Sequence, residues 1–267
     1  MNFEINGTRK RMLHVERRAD VVWLTMDHPP ANALNNALLR EIVAELGLVV
    51  SDDTVRGVVV TGAGNKFFTA GGDVKEFATI TPAEGVARVR LGSQLKSLLG
   101  ALECPLVCAV NGAAVGSGME MAALADYCVA SHTARFGMPE INHGLMPMAR
   151  GIQQLVRVLG YNNAKKVLFE GSIYSAAEAE KLGLVHEIVE PEDLLGRADA
   201  WVTEMAAKPA HIFRALKRTV NQGMTMSDAE LEEMTAADFE SYYGTEEATS
   251  SLNTHLGRPR ASAEERR

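Results

Sequence analysis

The segment from Pro105 to Glu140 constrains the fold of this chain more than any other. It opens with a continuous apolar run, Pro105–Val110, and turns at Asn111-Gly112. Such a run is typical of a strand that is covered on both faces, as in a parallel sheet. The residues from Gly116 to Asp126 then form a helix that is small or apolar almost all round, which places it in a core. The sequence therefore predicts an α/β fold built around this strand and helix.

Glu120 is the exception on that apolar helix, and the residues alone leave two roles open for it. The pattern from Ser117 to Glu120 fits a capping box, in which the glutamate bonds back to the start of the helix. A carboxylate on an apolar helix is also costly to bury, and such groups are suited to proton transfer. The free N–H groups of the first helical turn, from Ser117 onward, would suit an anion or a developing oxyanion. The two roles are compatible.

A second strand, glycine turn and helix precede this segment. Gly71-Gly72 permits a close backbone approach, and Asp73 with Glu76 fits a capping box at the start of a helix. Taken alone, an ordinary glycine turn is the favoured interpretation. Two such units, however, can direct two backbone N–H groups at one point, as an oxyanion hole requires. Neither glycine turn matches a nucleotide-binding fingerprint.

Length and composition exclude several classes of protein. The 267 residues, 46% hydrophobic and 23% charged, suffice for one large or two small domains. A net charge of −7 disfavours nucleic acid or an anionic membrane as the main partner. No secretory signal or membrane-spanning run is recognisable, so we expect a cytoplasmic protein. Cys104, Cys108 and Cys128 lack metal-ligand spacing and should be buried free thiols, and we expect no metal.

Other elements follow from periodicity and turn residues. The helix after Asn35 should bury six apolar residues that recur at helical spacing: Leu38, Leu39, Ile42, Val43, Leu46 and Val49. On a predicted helix over Pro82–Leu102, the cations Arg88, Arg90 and Lys96 should form a solvated face. Only helices are predicted near the C-terminus, with breaks at Pro209, Gly223 and Gly244. We therefore predict a core over residues 1–200 and a helical region over residues 201–267.

Glu140 and His143 carry no clear signal of their own. Glu140 follows a proline at the end of a short strand, and an isolated glutamate in such a turn is usually exposed. His143 is likewise best interpreted as a surface or capping residue.

Four motifs together resemble the crotonase superfamily and, within it, the enoyl-CoA hydratases. They are Ala33-Leu34-Asn35, Phe68–Glu76, Asn111–Glu120 and Phe136–Glu140, and the similarity runs from about Val15 to the end of the chain. The resemblance implies a spiral of strand–strand–helix repeats. It also implies a C-terminal helical region that packs on the core and on neighbouring subunits in a trimer or hexamer.

The resemblance also assigns roles. The N–H groups of Gly72 and Ser117 would form an oxyanion hole for a thioester carbonyl. Glu120 and Glu140 would handle the water in the reversible syn hydration of a 2-trans-enoyl-CoA to a 3-hydroxyacyl-CoA. No cofactor is implied, because coenzyme A is part of the substrate. The implied substrate-binding residues are Ala33, Ala70, Asp73, Val74, Lys75 and Gly116, and the candidates for helping to cover the coenzyme A of a neighbouring subunit are Phe213, Lys217 and Arg258.

One segment departs from the family pattern. Pro147–Ile152 stands where these hydratases usually have Pro-Gly-x-Gly-Gly, and Arg150 replaces a glycine. We hypothesise that Arg150, together with His143, recognises a polar or carboxylated acyl group, although a surface arginine is the simpler interpretation. Isomerase, lyase, hydrolase or decarboxylase chemistry on an acyl-CoA, or a non-catalytic acyl-CoA-binding scaffold, remain alternatives.

Overall fold

A computed structural model describes residues 11–147, 149–223 and 225–257. The chain divides into two compact units after Ala206. The predicted boundary between residues 200 and 201 lies inside a helix, Leu194–Ala206, that belongs entirely to the first unit.

The first unit contains ten strands and eight helices among its described residues. The strands are β1 (Leu13–Arg18), β2 (Val21–Met26), β3 (Gly57–Gly62), β4 (Phe67–Thr69), β5 (Leu106–Val110), β6 (Ala113–Val115), β7 (Tyr127–Ser131), β8 (Arg135–Gly137), β9 (Ile173–Ser175) and β10 (Glu187–Val189). The helices are α1 (Asn36–Val50), α2 (Val74–Phe77), α3 (Pro82–Ala101), α4 (Ser117–Leu124), α5 (Ala149–Leu159), α6 (Tyr161–Glu170), α7 (Ala176–Lys181) and α8 (Leu194–Ala206). A short 3-10 helix spans Pro139–His143.

The larger sheet has the order β1-β2-β3-β5-β7-β10. Strands β1 and β2 pair antiparallel as a hairpin, and the remaining neighbours pair in parallel. Strand β5 lies between β3 and β7, and all five of its residues are buried. The continuous apolar run at the start of the central segment is therefore a fully covered strand, as predicted.

The smaller sheet, β4-β6-β8-β9, positions the two glycine turns. Strands β4 and β6 pair in parallel, with Phe67 opposite Ala113 and Thr69 opposite Ala114. A glycine turn follows each strand, so their parallel pairing brings the turns to the same end of the sheet. The sequence pattern did not predict β9, whose three residues are too few to show periodicity.

Helix α1 confirms the helical spacing after Asn35. The six predicted apolar residues are its buried residues, and Asn35 caps it by accepting a hydrogen bond from Leu38 N.

Helix α3 contradicts the predicted solvated face. Arg88 and Lys96 are only 3% and 2% exposed, whereas Val86 and Val89 are 53% and 51% exposed. Arg90 is exposed, as predicted. The reason is electrostatic, because each buried cation meets a carboxylate from a distant part of the chain: Arg88 Nε lies 3.8 Å from Glu76 Oε2, and Lys96 Nζ lies 2.5 Å from Glu120 Oε2. A buried charge is tolerated when it is paired in this way.

The second unit contains α9 (Ala210–Gly223), α10 (Asp228–Tyr242) and α11 (Glu246–His255). The three predicted breaks fall at or beside the ends of these helices. Phe213 and Lys217 lie on α9, whereas Arg258 is outside the described residues. No described helix is long and apolar enough to cross a membrane. The three cysteines are free thiols, with Cys108 and Cys128 buried and Cys104 partly buried.

Candidate active site

The two glycine turns touch each other. Gly71 and Gly116 have φ angles of +83° and +54°, which side chains other than glycine rarely adopt. A Cβ atom added to Gly71 would lie 2.7 Å from the Val115 carbonyl oxygen, and one added to Gly116 would lie 3.9 Å from Gly71 Cα. The first distance is too short for a side chain, whereas the second is an ordinary contact, so glycine at position 71 is what allows the two motifs to meet.

The backbone around Gly72 leaves its N–H group out of the local pairing. Leu34 N donates to Gly71 O at 2.8 Å, and Asp73 N donates to Leu34 O at 3.4 Å. In this parallel bridge the N–H of the middle residue, Gly72, points away from Leu34. Ser117 begins α4, where N–H groups have no acceptor within the helix. Both groups are therefore suited to the predicted role of oxyanion donors, which stays a prediction.

Glu120 is buried on α4 and does not cap the helix. The N-cap is Gly116, without a side-chain hydrogen bond, so the capping-box interpretation is wrong. Glu120 is only 1% exposed, and its Oε2 pairs with Lys96. Its Oε1 is buried and has no hydrogen-bond partner among the described residues. One carboxylate oxygen is held by a cation and the other is left for a ligand or water.

Glu140 lies in the 3-10 helix, and its carboxylate contacts the second glycine turn at Gly116. A Cβ atom added to Gly116 would lie 2.7 Å from Glu140 Oε1, and Glu140 Oε2 is buried without a partner in the described chain. The expected exposed turn is therefore wrong for this side chain. Burial raises the pKa of Glu140, a hydrogen bond from its own backbone opposes the rise, and the nearby charge of Glu120 adds to it. A carboxyl group with a raised pKa is suited to carry a proton.

The first turn of α5 closes against Glu120. A Cβ atom added to Gly151 would lie 1.8 Å from Glu120 Oε1, so this glycine abuts the free carboxylate oxygen. Arg150 precedes it and is exposed, as is His143. The segment that departs from the family pattern thus borders the carboxylate directly.

The predicted substrate-binding residues lie around the first glycine turn. The bridge between Leu34 and Gly72 places Ala33 beside this turn, and Ala70 N donates to Ala31 O at 3.0 Å. Asp73 caps α2 by accepting from Lys75 N, but Glu76 does not complete the predicted capping box. Its carboxylate instead accepts from Asn36 N at the start of α1. The predicted binding residues Val74 and Lys75 are exposed on α2.

Three residues beside the site were not predicted. Lys96 pairs with Glu120, Gly151 abuts it, and Arg88 donates to the Leu34 carbonyl next to the Gly72 bridge. A lysine and an arginine at helical spacing resemble a solvated face in sequence, and nothing local distinguishes them. Within the described residues, no group of three or more His, Cys, Asp or Glu side chains is arranged to hold a metal ion.

Comparison with known proteins identifies the family. A family model described as enoyl-CoA hydratase/isomerase matches residues 16–264. The chain belongs to this family. It is 36% identical over 211 residues to a short-chain-enoyl-CoA hydratase of Clostridium acetobutylicum, covering 79% of this chain and 81% of that protein. It is 38% identical over 216 residues to a 2,3-dehydroadipyl-CoA hydratase of Escherichia coli, covering 80% and 84%.

The structure is also similar to solved hydratases of this family. An enoyl-CoA hydratase from Bacillus anthracis matches with a TM-score of 0.87 and 27% identity, covering 94% of this chain and 98% of that one. The predicted crotonase-like fold with C-terminal helices is confirmed.

Substituting Gly151 tests its contact with Glu120. Helix propensity alone favours Ala over Gly in a helix by about 0.5–1 kcal/mol. We expect the opposite for Gly151→Ala, a loss of about 1–3 kcal/mol, because the new methyl group must displace a buried, paired carboxylate. Gly47→Ala, in α1 with nothing within 4 Å of the added atom, is the matched control and should gain stability. Urea denaturation measures both, and equal gains would contradict the contact.

The raised pKa of Glu140 predicts a pH-dependent effect of Glu140→Gln on stability. A folded-state pKa above the unfolded value means that ionisation of this carboxyl opposes folding. This destabilisation is absent in acid, where Glu140 is protonated in both the folded and the unfolded protein. It grows as the pH rises through the pKa of the unfolded state and then that of the folded state. Glu140→Gln should therefore be more stable than the unaltered protein at neutral pH, with the advantage vanishing toward acid. Urea denaturation across pH measures this, with exposed Glu192→Gln as the control for charge removal.

Proposed function

We propose that this protein is an enoyl-CoA hydratase that adds water reversibly to a 2-trans-enoyl-CoA. The observation that supports this most is the convergence of the buried Glu120 and the half-buried Glu140 carboxylates on one pair of glycine turns. Each carboxylate has one buried oxygen without a partner among the described residues. Two unpaired carboxylate oxygens in one site are suited to hold a water molecule.

The oxyanion donors stabilise the charge that addition creates. When the water oxygen bonds to C3, the electrons of the double bond move to the thioester carbonyl and form an enolate. Backbone N–H groups of Gly72 and Ser117 would hold that oxygen, each worth about 3–4 kcal/mol in the transition state. Because these donors are backbone groups, the side chain of Ser117 takes no part.

The two carboxylates divide the proton transfers. Glu120 orients the water and accepts its proton, while Glu140 delivers a proton to C2. Both protons of the water are thereby accounted for, since one remains on the new hydroxyl group and the other is exchanged through the carboxylates. The chemistry needs no metal or redox cofactor, and coenzyme A enters only as part of the substrate.

Replacing either carboxylate should abolish most turnover. We expect Glu120→Gln and Glu140→Gln each to lower kcat by about 10²–10⁴-fold, the usual contribution of a positioned acid or base. The measurement is the loss of the conjugated enoyl-thioester absorbance on a short and a branched 2-enoyl-CoA, with product analysis. Glu192→Gln should retain full activity.

Two outcomes would support the alternatives. Conversion of acyl-CoA esters to a product other than the 3-hydroxyacyl-CoA would favour isomerase, lyase, hydrolase or decarboxylase chemistry. Tight binding of coenzyme A esters without any turnover would favour a non-catalytic scaffold.

We further propose that the acyl group carries a polar or carboxylate end. Arg150 is exposed on the turn that abuts Glu120, at a position where the family pattern has glycine. The Escherichia coli relative is named for a dehydroadipyl group, which derives from a dicarboxylic acid. A guanidinium beside the reacting carbons can pair with such a carboxylate.

The substitution Arg150→Ala tests this specificity. We expect kcat/KM for a carboxylated 2-enoyl-CoA to fall about tenfold or more, because a hydrogen bond to a charged group is worth about 1.5–3 kcal/mol. The value for straight-chain crotonyl-CoA should change little. Arg157→Ala, also exposed on α5, is the matched control. Equal losses on the two substrates would contradict the role of Arg150.

Self-association into a trimer or hexamer and a cytoplasmic location remain predictions. Phe213 and Lys217 on α9 are the described candidates for contacts with a neighbouring subunit's coenzyme A.

A further inference from the structure

Lys96 is a buried cation that the proposed reaction does not use. Its side chain and that of Glu120 are each 2% exposed, and Nζ lies 2.5 Å from Glu120 Oε2. Removing two charges from water is expensive, and replacing such a pair by apolar residues is often neutral or stabilising. A buried ion pair is therefore weak support for stability alone, and its place beside the site suggests a function.

The helix that carries Lys96 contacts groups next to both glycine turns. Arg88 and Lys96 are eight residues apart on α3, about 12 Å at 1.5 Å per residue, and both lie on its buried face with Gly92, Leu95 and Leu99. Arg88 donates to the Leu34 carbonyl beside the Gly72 turn. Lys96 reaches Glu120 behind the second turn.

We propose that Lys96 is a positioning residue that holds Glu120 ionised and directs its free oxygen toward the water, leaving the transferable proton on Glu140. This inference rests on the proposed hydration. Lys96 occupies Oε2, whereas Oε1 faces Gly151 without a hydrogen-bond partner in the described chain. The carboxylate is thus fixed by one oxygen and available through the other.

The resulting step balances. The C3–O bond forms as one O–H bond of the water breaks, and that proton goes to Glu120. The C2–C3 π bond breaks, and the proton of Glu140 forms the new C2–H bond. Glu120 then returns a proton to Glu140 by way of solvent before the next turnover. The Lys96 ammonium balances the charge on Glu120 at the start of the cycle.

Among the residues that the structure describes, few other charged groups face α4. Glu140 comes from the 3-10 helix, Arg150 from α5 is exposed, and Arg135 on β8 is exposed and donates to the carbonyls of Thr133 and Ala134. On β5 the Cys108 thiol donates to the Met121 carbonyl, and burial raises its pKa, which keeps it neutral. Strands β4 and β6 carry no charged residue. Lys96 is therefore the cation in contact with Glu120.

The pH profile of kcat/KM distinguishes positioning from a purely structural role. In Lys96→Met we expect the acidic limb to move to higher pH by about 1–3 units, because an opposite charge at this distance favours ionisation of a carboxyl group by that amount. Lys96→Arg, which keeps the charge, should leave the limb in place even if kcat falls. KM should change little in either variant. An unmoved limb in Lys96→Met would overturn the proposal.

A second readout does not depend on turnover. Difference infrared spectra report the C=O band of a protonated carboxylic acid, and loss of the band in Glu120→Gln assigns it. We expect no Glu120 band in the unaltered protein at mildly acidic pH and a clear band in Lys96→Met. If no enoyl-CoA is hydrated but this difference appears, the proposed function fails and the positioning role stands. A Glu120 band already present in the unaltered protein would overturn the positioning role.

A double variant keeps the proposal testable if a single variant misfolds. Lys96→Met with Glu120→Gln removes both charges, a change that proteins often tolerate. If Lys96 acts through Glu120, the double variant should turn over no more slowly than Glu120→Gln alone. A further loss of about tenfold or more, as expected for independent contributions, would contradict the proposal.

Discussion

The contact between two glycine turns is the constraint on which the site depends, because every proposed catalytic group is placed relative to it. Strands β4 and β6 run in parallel and end side by side, so the turns after them meet. Gly71 packs against the Val115 carbonyl, and Gly116 against the Glu140 carboxylate. A side chain at Gly71 would separate the turns, and one at Gly116 would displace the Glu140 carboxylate. The position of Glu120, one turn into α4, follows from the same contact.

The site also concentrates buried charge, which a fold normally avoids. Arg88, Lys96 and Glu120 are almost fully buried, and Glu140 is half-buried with one oxygen unpaired among the described residues. These buried charges are tolerated because α3 supplies a cation next to each glycine turn, Arg88 beside the first and Lys96 beside the second. Lys96 pairs with Glu120, whereas Glu140 has burial and a neighbouring negative charge acting on it, and its pKa is raised. Two carboxyl groups in one site thus have different surroundings, which is a common basis for dividing acid and base roles.

The two parts of the site are built in different ways. The turns, the Leu34–Gly72 bridge and the start of α4 are made of backbone contacts that any member of the family can share. The first turn of α5 instead meets a side chain, with the Gly151 backbone against the Glu120 carboxylate and Arg150 exposed beside it. The proposed chemistry and the proposed acyl specificity therefore depend on different parts of the site.

The sequence by itself determined the features that depend on local periodicity and turn chemistry. The buried face of α1, the covered strand β5, the helix breaks at Pro209, Gly223 and Gly244 and the two glycine turns were all predicted, because near neighbours in the chain decide them. The motifs also identified the family. Capping boxes at Ser117 and Asp73 were predicted wrongly, since the alternative partners, Lys96 for Glu120 and Asn36 N for Glu76, come from distant segments. Only the tertiary structure decided that Lys96 and Arg88 are buried, because a cation's burial depends on whether folding brings a carboxylate or carbonyl to it, and no local pattern records that.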